Sequence, residues 1–169
     1  MSTPELLAFD DHREDGDFLV HSPDGVVARI QVGVWSGRSF TATTPDGAPL
    51  CSGRSRGIFS TWWDAVDPAG APLVSLRRSG WGGSRTHVDL GGRAMTLHGS
   101  FSGRQWRLED EREEVVLSSA TTTGFFTFRP HAWEVQGHRN PLTLAQVVAV
   151  VQLFRLSQKA QAAAAAAAQ

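Results

Sequence analysis

Arg54 and Arg56 stand two residues apart, so in an extended strand both guanidinium groups leave the same face of the sheet. Arg77, Arg78 and Arg85 follow after the next turns. Guanidinium groups that converge in this way hold a phosphate or carboxylate through paired N–H donors. The simpler reading is a set of solvated strand arginines, in a chain whose one lysine is Lys159. Both readings stand at this point. Trp62-Trp63 and Trp81 would suit an exposed aromatic lip for a lipid or other ligand. Adjacent strand residues point to opposite faces, however, which predicts one tryptophan in the core and one outside.

Other chemistry is thin. The segment 79–93 is rich in glycine, but no Gly-Lys-Ser or Gly-Lys-Thr follows, so no phosphate-cradling loop is expected. His87 with Asp89 reads as a pair sharing one strand face rather than a metal site. A calcium loop placed at Asp11 would put Arg13 and Ser22 in ligand positions, which excludes it. Gly53-Arg54-Ser55-Arg56-Gly57 has the Gly-x-Ser-x-Gly spacing, but no helix is predicted after it to make a nucleophile elbow, so a hydrolase triad is not expected. The expectation is a protein with no catalytic residues, no metal and no cofactor.

Composition narrows the class. A chain of 169 residues, 41% hydrophobic and with formal net charge -1, is long enough for one domain with a sizeable core and too apolar to be disordered. The near-neutral charge argues against a nucleic-acid binder. Cys51, the single cysteine, rules out an internal disulfide and fits a reducing compartment. Met1–Asp17 holds six acids and one arginine, the reverse of a signal peptide, whereas Phe18–Leu108 holds ten arginines and five aspartates. A cytoplasmic location follows as the expectation, with room for a peripheral membrane association. The acidic run Glu109, Asp110, Glu111, Glu113 and Glu114 reads as a solvated hairpin tip or strand edge rather than a ligand site.

The elements that must position the arginines are strands. Val26, Ala28, Ile30, Val32 and Val34 alternate with Arg29 and Gln31, a period of two, and similar short segments recur as far as Trp133 and Val135. Ser22-Pro23-Asp24-Gly25, Thr44-Pro45-Asp46-Gly47, Asp67-Pro68-Ala69-Gly70 and Gly91-Gly92 are tight antiparallel turns, because Pro presets one φ and Gly accepts the positive φ that follows. About a dozen such strands must close into a barrel or fold into a sandwich.

The period then changes. Thr143 as N-cap and Gln146 three residues later form a capping box, and between Leu144 and Leu156 the only polar residues are Gln146, Gln152 and Arg155. A helix with no polar side must be buried. About 13 residues span roughly 20 Å, short of a bilayer crossing. Val147, Val150, Val151 and Phe154 are therefore core residues, while Gln146 and Gln152 serve as cap and end-of-barrel hydrogen-bonder.

A strand meander that ends in a Trp-bearing strand and one apolar helix resembles the tubby C-terminal-like superfamily, in its LURP-one-related and phospholipid-scramblase branch. The residues that carry the resemblance are Asp46–Leu50, Asp67–Leu73, Phe126-Thr127-Phe128, Ala132-Trp133-Glu134-Val135 and Leu142–Leu156. The resemblance implies a mainly β fold, an antiparallel closed barrel of about twelve strands around a hydrophobic C-terminal helix. On that template residues 1–17 are an acidic arm, 18–159 the barrel domain with its helix near 143–158, and 160–169 an alanine-rich tail, frayed or disordered. Scramblase-type members also carry a proline-rich N-terminal region, a cysteine cluster and a calcium segment, which this chain lacks. Tubby-type members bind phosphoinositide head groups through basic residues.

The expected function is a non-enzymatic binding or scaffold module, with anionic phospholipid head groups or a protein as its partner. Rival readings are a small-molecule carrier or enzyme working at a barrel mouth, and a structural protein-interaction domain. Whether the helix fills the barrel separates them.

Overall fold

The computed structural model describes residues 5–14, 16–33, 38–56, 61–78, 85–99, 105–121, 132–138 and 142–167, with backbone alone at 11–13. Trp81, the glycines of 80–83, the Phe126–Phe128 segment and Asn140-Pro141 lie outside what it describes.

Twelve strands run in chain order: β1 Leu6–Glu14, β2 Asp17–Ser22, β3 Gly25–Val32, β4 Ser39–Thr43, β5 Pro49–Ser55 and β6 Trp62–Val66. They continue with β7 Pro72–Arg78, β8 Arg85–Leu90, β9 Arg93–Gly99, β10 Gln105–Glu109, β11 Val115–Thr121 and β12 Trp133–Gly137, followed by helix α1, Leu144–Ala167. Each strand pairs antiparallel with its neighbours, and β1 closes on β12 through Leu6↔Gln136 to Phe9↔Trp133. The result is a closed barrel, which leaves no strand edge unpaired. Its inner wall is apolar and its outer wall carries Arg29, Arg54, Asp64, His87 and Glu134, the inverse of a lipid-facing barrel.

The acidic N-terminal segment is a correction to the sequence reading. Residues 6–14 are a barrel strand and not an arm, with Leu7 and Phe9 inside at 2% and 1% exposure. Outward positions of a barrel strand tolerate acids, so charge alone concealed the alternation of inward Leu7 and Phe9 with Leu6, Ala8 and Asp10.

Helix α1 lies within the barrel. Val147, Val148, Val150, Val151 and Leu153 are fully buried, although they point around the whole helix. The backbone of α1 comes nearest to β4–β7. The inward residues there include the small Ala42, Cys51, Gly53, Ala65 and Val74 beside Phe40, Trp63 and Leu76, whereas Trp106, Leu108 and Trp133 fill the opposite side. Gly53 has no room for a side chain, since a Cβ there would lie 2.4 Å from the Phe40 ring. Thr143 and Gln146 form the expected capping box, with Thr143 N donating to Gln146 Oε1 at 3.0 Å and Gln146 N to Thr143 Oγ1 at 3.3 Å. The helix continues through the alanine tail to Ala167, exposed from Lys159 onward, as alanine's intrinsic preference allows.

Three tight turns share one geometry. Gly47, Gly70 and Glu113 each donate to the carbonyl three residues earlier at 3.0 Å, and all have positive φ, 89°, 85° and 61°. Asp67 and Asp110 each accept two backbone N–H groups of their own turns at 2.8–3.0 Å. Glu113 thus occupies a glycine position. Left-handed backbone costs a side-chain-bearing residue about 1–2 kcal/mol, partly offset by glycine's extra unfolded-state entropy. Glu113→Gly should stabilise the fold by about 0.5–1 kcal/mol, raising the melting temperature by roughly 1–4 °C. An unchanged or lowered melting temperature would contradict this account of the turn.

Candidate functional site

Register brings the arginines of separate strands onto the outer wall. Arg54 of β5 lies opposite Asp64 of β6, which lies opposite Ser75 of β7. One row further, Trp62 is opposite Arg77, and Arg77 is opposite His87 of β8. Trp63 points inward at 2% exposure, so the Trp62-Trp63 pair divides between wall and core as strand alternation requires.

Asp64 organises the face. Its Oδ1 accepts Trp62 Nε1 at 2.7 Å, and its Oδ2 accepts Arg56 Nε. Trp62 Nε1 also reaches Ser75 Oγ at 2.8 Å. With the indole fixed, the Arg77 guanidinium lies over the ring at 3.8 Å from its centroid and that of Arg56 at 4.8 Å. Cation–π contact holds Arg77 in place while leaving its N–H donors for another acceptor. Asp64 neutralises one arginine. Arg54 and Arg77, both exposed, have no ion-pair partner among the described residues. The face therefore carries cationic donors in excess of its carboxylates.

Arg85 extends this wall, opposite His98 of β9. His98 is held by Glu109 at 2.9 Å, and Glu109 also takes Arg107 at 2.5 Å. Arg78 does not belong to the face, which corrects its grouping with Arg77. It follows Arg77 in the strand, falls on the inward parity opposite buried Thr86, and burial pushes its guanidinium below its ordinary value. Asp89 shares the wall with His87 but spends its Oδ1 on the Gly92 N–H at 2.9 Å, capping the turn. Among the described residues no three His, Cys, Asp or Glu side chains are grouped to hold a metal ion.

One pair escaped the sequence reading. Ser118 Oγ lies 2.7 Å from His138 Nε2, joined by the pairing of β11 with β12 across 20 residues of sequence. No local motif marks it. His138 borders a surface cleft of about 910 Å³ beside the β10–β11 turn, where Asp110, Glu111 and Glu114 face Arg93 and Arg112. Asp110–Glu114 of the acidic run thus form the hairpin tip, whereas Glu109 lies in β10, paired with His98 and Arg107.

The interior is packed. Trp106, Trp133 and Phe154 form an aromatic cluster with centroids 5.7–6.0 Å apart. Arg155 Nη2 donates to the Phe9 and Asp10 carbonyls at 3.3 and 3.2 Å. Gln152 departs from the end-of-barrel hydrogen-bonder that its polarity suggested: it is 3% exposed and its Nε2 meets no acceptor among the described residues. Burial pushes the Cys51 thiol up to about 12, which keeps it protonated and unreactive. Among the described residues no helix is long and apolar enough to cross a membrane.

No protein-family model matches the sequence, and no curated protein matches it. Its fold is similar to the X-ray structure of an Arabidopsis thaliana protein, AT5G01750. The two are 14% identical with a TM-score of 0.62, over 94% of this chain and 93% of that one. At that identity the likeness establishes a shared fold.

Proposed function

We propose that this protein is a non-enzymatic binding module of the LURP-one-related and scramblase-like type that recognises anionic phospholipid head groups on its outer wall, at the cytoplasmic surface of a membrane. The observation that carries this reading is the Trp62 platform, on which Asp64 holds the indole and Arg77 stacks above it, with Arg54 alongside and without an ion-pair partner among the described residues. Arg56 closes the platform through its ion pair with Asp64, and Arg85 lies further along the same wall. The fold likeness to a protein with the same barrel supports the family reading.

The rival readings meet physical obstacles. A carrier needs an open interior, and α1 with its aromatic cluster occupies this one. Partner binding by strand addition needs a free edge, and the barrel is closed. The testing experiment is co-sedimentation of the full chain with phosphatidylcholine vesicles containing a phosphoinositide. Binding should be strong at low salt and fall steeply by physiological salt, where the screening length shortens to about 8 Å. Absence of binding at low salt would overturn the proposal.

The same reading expects no turnover in broad esterase, phosphatase and glycosidase screens. The Ser118–His138 pair has the geometry of a nucleophile and base, so it supplies the sharpest control. An activity lost in Ser118→Ala or His138→Ala, or one lost in His87→Ala but kept in His98→Ala, would move an enzyme to first place.

A further inference from the structure

Three histidines of the barrel wall have side-chain partners. His21 Nε2 lies 3.0 Å from Asp10 Oδ2, His98 Nε2 lies 2.9 Å from Glu109 Oε2, and His138 Nε2 lies 2.7 Å from Ser118 Oγ. His87 differs from them. It is exposed in the middle of β8, and its side chain has no hydrogen bond, ion pair or ring contact among the described residues. Cross-strand register sets His87 opposite Arg77, which is itself opposite Trp62, so that imidazole, guanidinium and indole stand in one row on adjacent strands.

The groups that face His87 are few. On β8 itself Arg85 and Asp89 flank it; β7 sets Arg77 opposite it and Ser75 on the diagonal; β9 sets Thr96 opposite it, with Ala94 and His98 on the diagonals. The polar groups among these have work of their own. Asp89 Oδ1 accepts the Gly92 N–H at 2.9 Å, Ser75 Oγ receives Trp62 Nε1 at 2.8 Å, and His98 is taken by Glu109. Arg77 is held over the Trp62 ring, 3.8 Å from its centroid. Residues directly opposite in antiparallel strands have Cα atoms about 4.5–5.5 Å apart, so an acceptor the size of a phosphate, seated above Arg77 and His87, meets donors from both.

We infer that His87 is a further ligand of the head-group phosphate beside Arg77, and that its protonation sets how tightly the face binds. This rests on the proposed lipid recognition and adds to it a specificity-determining residue and a pH dependence. An imidazole ordinarily changes charge near pH ~6.5, whereas a guanidinium keeps its charge throughout that range. His87 is therefore the member of the row that can switch. The neutral ring offers one N–H and no charge, while the imidazolium offers two N–H donors and a positive charge. A phosphate seated on the pair favours the imidazolium, so binding takes up a proton and affinity rises as pH falls.

The test is co-sedimentation of the full chain, as parent, His87→Gln and His87→Arg, with vesicles of phosphatidylcholine and phosphoinositide at low salt, at about pH 8 and about pH 5.5, on either side of the histidine range. All three chains meet the same vesicles, so titration of the lipid phosphate cancels in the ratio of their affinities. Parent and His87→Gln should bind alike at the higher pH, and the parent about fivefold tighter at the lower, the worth of one basic charge near an anionic surface. His87→Arg, with a fixed charge, should exceed the parent about fivefold at the higher pH. A ratio of parent to His87→Gln that is the same at both pH values, or His87→Arg no tighter than the parent at the higher one, would overturn the role of His87 and leave the lipid reading standing. No binding of the parent to vesicles at either pH would overturn the lipid reading. Soluble inositol trisphosphate bound with the same pH step would then keep His87 as a phosphate ligand, and its failure to bind would overturn this inference as well.

Discussion

Val151→Asp should eliminate the soluble, folded protein. Val151 is fully buried in the part of α1 enclosed by the barrel. A carboxylate placed there finds no water and no designed partner, and an unpaired buried charge costs several kcal/mol in practice. That is a large part of the roughly 5–15 kcal/mol by which domains of this kind are stable. Val151→Ala is the control: it removes apolar burial worth about 2 kcal/mol and should remain folded with a lowered melting temperature. A well-folded Val151→Asp protein with an unchanged melting temperature would place the helix outside the barrel.

The helix and most of the strands were legible because their signals are local. Turns such as Asp67-Pro68-Ala69-Gly70 declare themselves by residue type, and the Thr143–Gln146 box marks the start of α1. Strand β1 was hidden for a physical reason. Its outward positions include Asp10, which pairs with His21 at 3.0 Å, so its composition reads as solvated arm although Leu7 and Phe9 face the core. Its place as the closing strand depends on pairing with β12, some 120 residues away in sequence, which no local pattern encodes.

The candidate site was legible only in part. A period of two put Arg54 and Arg56 on one face. The same rule, applied to Arg77 and Arg78, separates them, and the structure does so. The roles of Asp64 and Ser75 follow from cross-strand register, which side-chain types do not reveal. Ser118 and His138 meet for the same reason.

The reversal of two charges on the Trp62 face is the second large expected effect and the most direct test of the functional account. Arg54 and Arg77 lack ion-pair partners among the described residues, so their charge is available to a ligand. A basic residue near an anionic surface contributes about 1 kcal/mol, and each Arg→Glu change both removes an attraction and adds a repulsion. Arg54→Glu with Arg77→Glu should therefore lose about 4 kcal/mol, roughly a thousandfold in affinity. Because both side chains are exposed, the melting temperature and the circular dichroism spectrum should stay close to those of the parent. The measurement is co-sedimentation of parent and double variant with phosphoinositide-containing vesicles at low salt. The account predicts binding by the parent and none by the folded double variant, whereas equal binding by both would return these residues to solvated strand arginines and contradict it.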